Sequence, residues 1–331
     1  MPNQKKRLLL PTTMARPGWD LAKSRADVDA VAFPPGVAGA EFHRLLRDTD
    51  GIALTSTPLR AADIEAAPRL RAVARIGVGY DAVDVGALTR RGIPLMTCHT
   101  DNSPTVSEYA IYMMLHLSKG GAHMDSIPRQ GRWPERYDLL PTELLGKTLL
   151  IVGFGRIGTR VAKRALAMEM AVEVYDPYVP AEAVRAAGCT PVPDLDAALP
   201  RADFVTLHCP KSPETAGMFN AARIARMKST ARLINTARGG LVDEAALYSA
   251  LASGELAGAG IDVFSPEPPL TDNPLFTLKN VIVSPHMAGN ARESLERKSL
   301  TVVRNILAVL DGKTPGKEYV VNPESLQQQR P

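Results

Sequence analysis

Short apolar runs alternate with segments of helical periodicity along most of the 331-residue chain. In the first hundred residues, five apolar runs predict strands: residues 7–10, 28–33, 51–56, 71–77 and 93–98. Segments between them, such as residues 38–49, repeat apolar side chains at helical spacing. Strands joined by helical crossovers form a parallel sheet with helices on both faces, so this part of the chain predicts an α/β domain.

A longer helix is predicted to interrupt this alternation after residue 101. Ser103 is its predicted N-cap, Pro104 takes the first helical position, and Gly120 and Gly121 end it. One apolar stripe lies at helical spacing along it: Val106, Ala110, Met113 and Leu117. We interpret this stripe as a packing surface rather than a ligand site.

A second alternating set begins near Gly146 and predicts another parallel-sheet domain. Its strand-like runs are residues 148–155, 171–176, 202–210, 231–240, 256–264 and 280–285. A final helix follows from about residue 293. The predicted fold class is therefore α/β, with two doubly wound parallel-sheet domains.

Composition agrees with a globular protein of two domains, since 45% of the residues are apolar and 22% are charged. The net charge is +4, and the short basic cluster of Lys5, Lys6 and Arg7 is interpreted as a solvated tail. Neither feature favours a nucleic-acid partner. No apolar run approaches the ~18–20 residues that span a bilayer, so no membrane partner is expected.

The N-terminal residues also lack the pattern of a secretory signal peptide. The three cysteines, Cys98, Cys189 and Cys209, have neither metal-ligand spacing nor the density of a disulfide framework. We therefore expect reduced thiols, no metal site and a cytoplasmic location.

A glycine motif opens the second domain. Gly153, Gly155 and Gly158 follow an apolar strand and begin a helix. The first glycine permits a tight turn, the second lets the backbone approach a pyrophosphate, and the third lets helix and strand pack closely. The helix N-terminus also attracts phosphate groups. This context predicts a dinucleotide site.

Asp176 ends the next strand, roughly 20 residues further on, where a carboxylate binds a ribose 2′-hydroxyl. A carboxylate in this position repels the 2′-phosphate of NADP. Pro177 and Tyr178, which follow it, supply no arginine to bind that phosphate. The sequence therefore predicts NAD rather than NADP as cofactor.

Three ionisable residues follow strand ends in the second set: Arg238, Glu267 and His286. Ligands of open α/β sheets bind at the carboxyl ends of strands. Histidine can donate or accept a proton near neutral pH, and a carboxylate at its other ring nitrogen fixes the tautomer. Arginine can hold a carboxylate through two parallel hydrogen bonds. Together they predict acid–base chemistry on a substrate carboxylic acid.

The motifs VGFGRIG, NTARGGLVDEAAL, GIDVFSPEPP and SPHMAG resemble those of the NAD-dependent D-isomer-specific 2-hydroxyacid dehydrogenases, and the resemblance extends over nearly the whole chain. It implies a Rossmann cofactor domain, residues 103–289, inserted into a discontinuous flavodoxin-like substrate-binding domain, residues 1–102 and 290–331. It also implies a homodimer formed through the cofactor domain. The stripe on the long helix is compatible with that dimer.

Residue roles are carried over from the family's motifs. Arg238 would bind the substrate, His286 would be the acid/base, and Glu267 its partner. The implied cofactor contacts are Arg156 and Ile157 at the pyrophosphate, Cys209, Pro210 and Thr215 near the adenosine half, and Thr236, Ala237 and Asp262 near the nicotinamide half. The implied substrate contacts in the first domain are the amides of Val78 and Gly79 and the side chain of Asn102. His208 is expected to be structural.

Departures from the family pattern bear on the substrate. Thr97-Cys98-His99 stands where the family often has Asn-Thr-Pro, and Thr55 aligns where the phosphoglycerate dehydrogenase branch usually has an arginine. The chain also ends near residue 331, where that branch continues into a regulatory domain. We therefore expect a compact, unphosphorylated 2-oxo acid, such as glyoxylate or hydroxypyruvate.

Three alternatives stay open from the sequence. One is an enzyme like D-3-phosphoglycerate dehydrogenase, and another is a non-catalytic NAD-sensing binding protein of the same fold. A third keeps the fold but oxidises formate or phosphite. The phosphite branch is expected to carry a lysine where this chain has Val78, which disfavours that reading.

Overall fold

The computed structural model of the protein describes residues 5–327. The chain separates into two compact units. The first comprises residues up to Asn102 together with those from Asn290 onward, and the second is Ser103–Gly289. Among residues 5–327, no helix combines the length and apolarity that a membrane crossing requires.

The first unit contains a five-stranded parallel sheet in the order β2-β1-β3-β4-β5. Its strands are β1 (Lys6–Pro11), β2 (Val28–Phe33), β3 (Gly51–Leu54), β4 (Ala72–Arg75) and β5 (Leu95–Met96). Its helices are α1 (Arg16–Lys23), α2 (Gly39–Leu46), α3 (Ala61–Glu65), α4 (Val85–Arg90) and, near the end of the chain, α12 (Arg292–Leu310).

Alternate residues of β1 enter two separate cores, as expected for a sheet covered on both faces. Leu9 packs in the core that contains Phe33 and Phe42. Leu8 and Leu10 pack in the other core, beneath α12. All three leucines are fully buried.

The second unit contains a seven-stranded parallel sheet in the order β12-β11-β10-β9-β6-β7-β8. Its strands are β6 (Thr148–Val152), β7 (Ala171–Tyr175), β8 (Thr190–Pro191), β9 (Phe204–Leu207), β10 (Arg232–Asn235), β11 (Gly258–Ile261) and β12 (Val281–Val283). Its helices are α5 (Ser103–Lys119), α6 (Gly121–Arg129), α7 (Gly158–Ala167), α8 (Ala181–Ala186), α9 (Leu195–Ala198), α10 (Ala221–Ile224) and α11 (Glu244–Ser253). The order of its first six sequential strands is that of a dinucleotide-binding α/β sheet.

Helix α5 packs on this sheet through the stripe predicted from the sequence. Ala110 and Met113 are fully buried in the core beneath β6 and β10. Gly260 of β11 provides the necessary space, because a Cβ there would lie 3.0 Å from the Cβ of Met113. The stripe is thus a packing surface of its own unit, and the side chains it buries are not available to a second subunit.

The predicted fold class is confirmed, and the differences lie at element ends and in one short strand. Ser103 lies within the first turn of α5 instead of preceding it. Gly120 ends that helix with a left-handed φ of 60°, but Gly121 already begins α6. The two-residue strand β8 was not predicted, since Thr190 and Pro191 carry no apolar alternation.

Candidate active site

The carboxyl ends of the strands in the second unit bring the predicted residues of this unit to one edge of the sheet. The glycine loop follows β6, Asp176 follows β7, and Cys209 lies just beyond β9. Arg238 follows β10, Glu267 follows β11 and His286 follows β12. This is the edge at which open α/β sheets bind ligands.

Each glycine of the loop has a distinct steric reason. Gly153 has a φ of 96°, and a Cβ there would lie 2.7 Å from the backbone nitrogen of Cys209. A Cβ on Gly158 would lie 2.1 Å from the carbonyl oxygen of Gly153. A Cβ on Gly155 would meet nothing within 4 Å. The first and third glycines are required by packing, and the open space beside the second fits a pyrophosphate.

Asp176 interacts with the glycine loop directly. Its Oδ2 accepts a hydrogen bond from the amide of Phe154 at 2.7 Å, and its Oδ1 accepts one from the amide of Tyr178 at 2.9 Å. The carboxylate is therefore held at the ends of β6 and β7, where a ribose would lie if its pyrophosphate occupied the loop. Arg156, exposed in the same loop, adds a positive charge for phosphates.

The loop after β9 forms the next wall. Thr215 closes it, because its hydroxyl accepts from the amide of Ser212 and donates to the carbonyl of Pro210, both at 2.8 Å. Burial raises the pKa of the Cys209 thiol to about 11, so the thiol is neutral. Burial also lowers the pKa of His208 to about 3, and its Nε2 lies 3.0 Å from the hydroxyl of Thr206. A neutral, half-buried imidazole of this kind agrees with a structural role for His208.

The turn after β10 presents Arg238. Asn235 shapes the turn, since its side-chain nitrogen donates to the carbonyl of Arg238 at 2.9 Å and its Oδ1 accepts from the amide of Ala237 at 3.1 Å. Thr236 and Ala237 are buried, whereas Arg238 is half-buried. The chain then passes so close to Phe264 that a Cβ on Gly239 would lie 1.7 Å from its carbonyl oxygen. The Arg238 turn is thereby packed against the loop of Glu267.

Glu267 and His286 form a hydrogen-bonded pair, with Nδ1 of the imidazole 2.8 Å from Oε2 of the carboxylate. Oε1 of Glu267 accepts from the amide of Phe264 at 3.0 Å. Desolvation raises the pKa of Glu267, but these hydrogen bonds, together with the charges of His286 and Arg238, lower it below its ordinary value overall. Glu267 is thus an ionised partner for an imidazole, and the charge of Arg238 acts on the same carboxylate.

His286 has a φ of 55°, in the left-handed region that histidine seldom adopts. Asp262 stabilises this turn. Its Oδ1 accepts from the Ser284 hydroxyl and from the amide of Met287, and its Oδ2 accepts from the amide of Ala288 at 2.9 Å. Asp262 is 1% exposed, and burial raises its pKa against the opposing effect of these hydrogen bonds. The carboxylate therefore holds the segment that carries His286.

In the first unit, Val78 and Gly79 lie in the loop after β4. Arg75 Nε donates a hydrogen bond to the carbonyl of Gly79 at 2.9 Å. The amide of Cys98 donates one to the carbonyl of Gly77 at 3.1 Å. The loop is therefore held by hydrogen bonds from two neighbouring segments. Within residues 5–327, no acceptor is found for the amides of Val78 and Gly79. Asn102 is the last residue before the second unit.

Sequence reasoning did not identify Asn235, Glu244 or Ser284, which shape the turns that carry the charged residues. Each stands inside a motif that was already noted. Asn235 ends β10 and Ser284 directly follows β12, so their signal was a polar residue at a strand end, where local hydrogen bonding to the backbone is common. Glu244 begins α11 and contacts Ser265 and Asn273, which lie 21 and 29 residues away, so the local sequence carries no signal for it.

Taken together, the sheet order, the glycine loop and the carboxylate after β7 define a Rossmann-type dinucleotide-binding domain. Comparison with known proteins gives the family. The family model described as "D-isomer specific 2-hydroxyacid dehydrogenase, NAD binding domain" matches residues 111–288. The chain therefore belongs to the D-isomer specific 2-hydroxyacid dehydrogenases, and its second unit is their NAD-binding domain.

Relatives that are similar to this chain include named dehydrogenases of 2-hydroxy acids. D-3-phosphoglycerate dehydrogenase of Synechocystis sp. is 37% identical over 330 residues, which cover 98% of this chain and 58% of the relative. The chain thus spans little more than half the length of that protein. A solved structure from Thermus thermophilus has a TM-score of 0.86, with 33% identity over 95% of this chain and 99% of the other. D-lactate dehydrogenase from Aquifex aeolicus, solved with NAD and lactic acid, has a TM-score of 0.83, with 29% identity over 95% of this chain and 99% of the other.

Proposed function

We propose that the protein reversibly transfers a hydride between NAD(H) and a small 2-oxo acid, giving the D-2-hydroxy acid. The observation that carries this proposal is the 2.8 Å pair of His286 and Glu267 at the sheet edge that also bears the glycine loop. A proton donor beside a nicotinamide site is what reduction of a carbonyl requires. Non-catalytic NAD sensing would have no use for this pair.

Bound NADH would supply the hydride. The side chains would supply the proton and orient the group that donates it. His286, with Nδ1 engaged by Glu267, donates a proton from Nε2 to the oxygen of the 2-oxo group and accepts it in the reverse direction. Glu267 fixes the tautomer and compensates the charge of the protonated ring. The left-handed turn held by Asp262 sets the direction of the imidazole.

We propose that Arg238 binds the substrate carboxylate, because a guanidinium can bind it through two parallel hydrogen bonds and polarise the adjacent carbonyl. The amides of Val78 and Gly79 would contribute further donors to the same carboxylate. Their lack of protein acceptors within the described residues supports this assignment. Asn102 would provide a polar contact to the substrate.

We assign the cofactor contacts of the second unit to the residues expected from the sequence. Gly153, Gly155, Arg156, Ile157 and Gly158 would surround the pyrophosphate, and Asp176 would accept from the adenosine ribose. The remaining contacts would be Cys209, Pro210 and Thr215 on the adenosine side, and Thr236, Ala237 and Asp262 on the nicotinamide side. The carboxylate of Asp176 favours NAD over NADP by repelling a 2′-phosphate.

The substrate has two candidate classes. Thr55, where the phosphoglycerate dehydrogenase branch usually has an arginine, favours an unphosphorylated acid such as glyoxylate or hydroxypyruvate. Relatives named D-3-phosphoglycerate dehydrogenase are 37–41% identical to this chain and favour a phosphorylated three-carbon acid. This second class of substrate is supported at least as well as the first. NADH oxidation with glyoxylate, hydroxypyruvate, pyruvate and 3-phosphohydroxypyruvate separates them by specificity constant. NADH binding without oxidation of any acid would instead indicate an NAD-sensing protein.

We propose a homodimer formed through the second unit. Six large apolar side chains of this unit lie exposed between residues 112 and 145: Tyr112, Trp133, Tyr137, Leu139, Leu140 and Leu145. Large exposed apolar side chains that are concentrated in one stretch of the chain favour an interface. Light scattering tests the assembly, since a mass of one chain would contradict it. A double substitution, Leu139→Lys with Leu140→Lys, is expected to give monomers.

We propose a cytoplasmic location. All three cysteines are free thiols, and two of them, Cys98 and Cys189, are buried. Free thiols in this number agree with a reducing compartment. Fractionation of the native cells, followed by detection of the protein, tests this proposal.

A further inference from the structure

Glu267 lies on a loop that one distant carboxylate holds at both ends. The loop runs from the end of β11 to the 3₁₀ turn Pro274–Thr277. The amide of Ser265 donates to Oε1 of Glu244 at 2.7 Å, and Nδ2 of Asn273 donates to Oε2 of the same residue at 3.1 Å. Glu267 lies between these two attachment points.

Glu244 is well placed to keep its charge and its position. It is the first residue of α11, whose N-terminus stabilises a carboxylate, and it is half-buried. The preceding residue, Asp243, caps the helix by accepting from the amides of Ala245 and Ala246. The orientation of Glu244 is therefore set by a regular helix, whereas the loop it holds has little regular structure of its own.

The loop in turn sets the Glu267 carboxylate. The amide of Phe264, one residue before the Ser265 attachment, donates to Oε1 of Glu267, and the other oxygen meets His286. A shift of Ser265 would move Phe264 and, with it, the hydrogen bond that orients Glu267. Three hydrogen bonds, linked by the backbone between Phe264 and Ser265, thus connect Glu244 to the imidazole.

We propose that Glu244 is a positioning residue for the acid–base pair, which acts by fixing the Glu267 loop without touching substrate or cofactor. This inference rests on the proposed function of Glu267 and His286. Substitution of Glu244 should lower kcat and alter its pH profile while leaving NADH affinity unchanged. A purely structural part would lower only thermal stability.

The chain offers a matched control. Glu244→Gln and Asp243→Asn each remove one negative charge from the same helix end. Asparagine still caps a helix, so Asp243→Asn keeps α11 intact and does not touch the loop. Glutamine at 244 retains one acceptor for Ser265, but its amide group opposes Nδ2 of Asn273. Glu244→Ala removes both contacts.

In NADH-dependent reduction of the best oxo acid, Glu244→Ala is expected to lower kcat ~5- to 20-fold, with Glu244→Gln intermediate and Asp243→Asn unchanged. The alkaline limb of the kcat profile should move to lower pH in both Glu244 variants, because a displaced Glu267 no longer supports a protonated ring. The Asp243→Asn profile should coincide with that of the wild type. A Glu244→Gln profile that also coincides with it would overturn the proposal.

Hydrogen–deuterium exchange provides a readout that needs no turnover. Peptides covering residues 264–273 should exchange faster in Glu244→Gln than in Asp243→Asn, with no added ligand. Equal exchange in the two variants would overturn the proposal even if activity fell. A wild-type protein inactive on every acid would instead refute the proposed function, while the exchange comparison would still decide whether Glu244 fixes the loop.

Discussion

Nδ1 of His286 lies 2.8 Å from Oε2 of Glu267, although nineteen residues separate them in the sequence. The loop after β11 and the turn after β12 bring them together, and each is held by a different buried or half-buried carboxylate. Glu244 holds the first segment and Asp262 the second. The geometry of the pair therefore depends on residues outside the pair.

Asp176 is predicted to set the choice of cofactor. Asp176→Ala should lower the ratio of kcat/KM for NADH over NADPH by about tenfold or more, because a repelling charge opposite the 2′-phosphate is removed. The KM for NADH should also rise, since the ribose loses an acceptor and Phe154 loses the partner of its amide. Steady-state kinetics with both cofactors measures the ratio. A wild-type enzyme that uses both cofactors equally would contradict the assignment.

Arg238 is predicted to bind the substrate rather than the cofactor. Arg238→Ala should raise the KM for the oxo acid on the order of 10²-fold, because the carboxylate loses a charged, bidentate partner. NADH affinity, measured by fluorescence titration, should stay within about twofold. Arg223→Ala is the control, since that half-buried arginine pairs with Asp196 elsewhere in the same unit. A loss of NADH binding in Arg238→Ala alone would count against the substrate role.

Asp262 has two candidate roles that one variant separates. If it holds the His286 turn, Asp262→Asn should lower kcat about tenfold and lower stability by ~1–3 kcal/mol. The NH2 group that replaces one carboxylate oxygen would face either the donors of Ser284 and Met287 or the amide of Ala288. If it contacts the nicotinamide, the dissociation constant of NADH should rise as well. Ser284→Ala should lower kcat less than Asp262→Asn does, because it removes only one of the three hydrogen bonds that Asp262 accepts. Unchanged kcat in both variants would contradict the positioning role.

The ion-pair network of the first unit predicts a pH dependence of stability. The guanidinium of Arg25 and the ammonium of Lys6 lower the pKa of Asp311 and of Asp27 below their ordinary values. A lowered folded-state pKa gives stability that is fully present above the unfolded value of about 3.9 and is lost as pH falls below it.

Asp311→Asn should therefore lower Tm by about 2–4 °C at pH 7, and the difference should shrink below about pH 4. The expected effect is small because surface screening weakens exposed pairs. Asp29→Asn, an exposed carboxylate on β2, serves as the control. Thermal unfolding followed by circular dichroism at pH 7, 5 and 3.5 measures the effect. A constant difference at all three pH values would argue against the network.

Much of the fold follows from the alternation of apolar runs and helical segments. The sequence motif assigned packing roles to Gly153 and Gly158. The structure agrees, because a Cβ on either glycine would lie less than 3 Å from a neighbouring backbone atom. Strand ends were less accurate. The predicted runs at 51–56 and 93–98 extend past β3 and β5, because they continue into Thr55 and Thr97, β-branched residues that are typical of strands but lie here in loops.

The position of a candidate residue was predictable where an ionisable side chain follows a strand, as at Arg238 and His286. It was not predictable where a residue acts through the backbone of another loop. Glu244 stands in a helix N-terminus where a carboxylate is common, and its contacts with Ser265 and Asn273 span 21 and 29 residues. Nothing in the local sequence distinguishes such a carboxylate from an ordinary helix-end charge. Whether Asp262 contacts the nicotinamide stays a prediction.

The role of His286 is measured most directly by single-turnover oxidation of bound NADH at saturating oxo acid. His286→Ala should slow this step by roughly 10²–10⁴-fold, with NADH affinity and thermal unfolding unchanged. His43→Ala is the control, because His43 also pairs with a carboxylate, Asp63 at 2.9 Å, but lies in the first unit on α2. It should keep the wild-type rate. A rate for His286→Ala within about threefold of wild type would contradict acid–base catalysis by this pair.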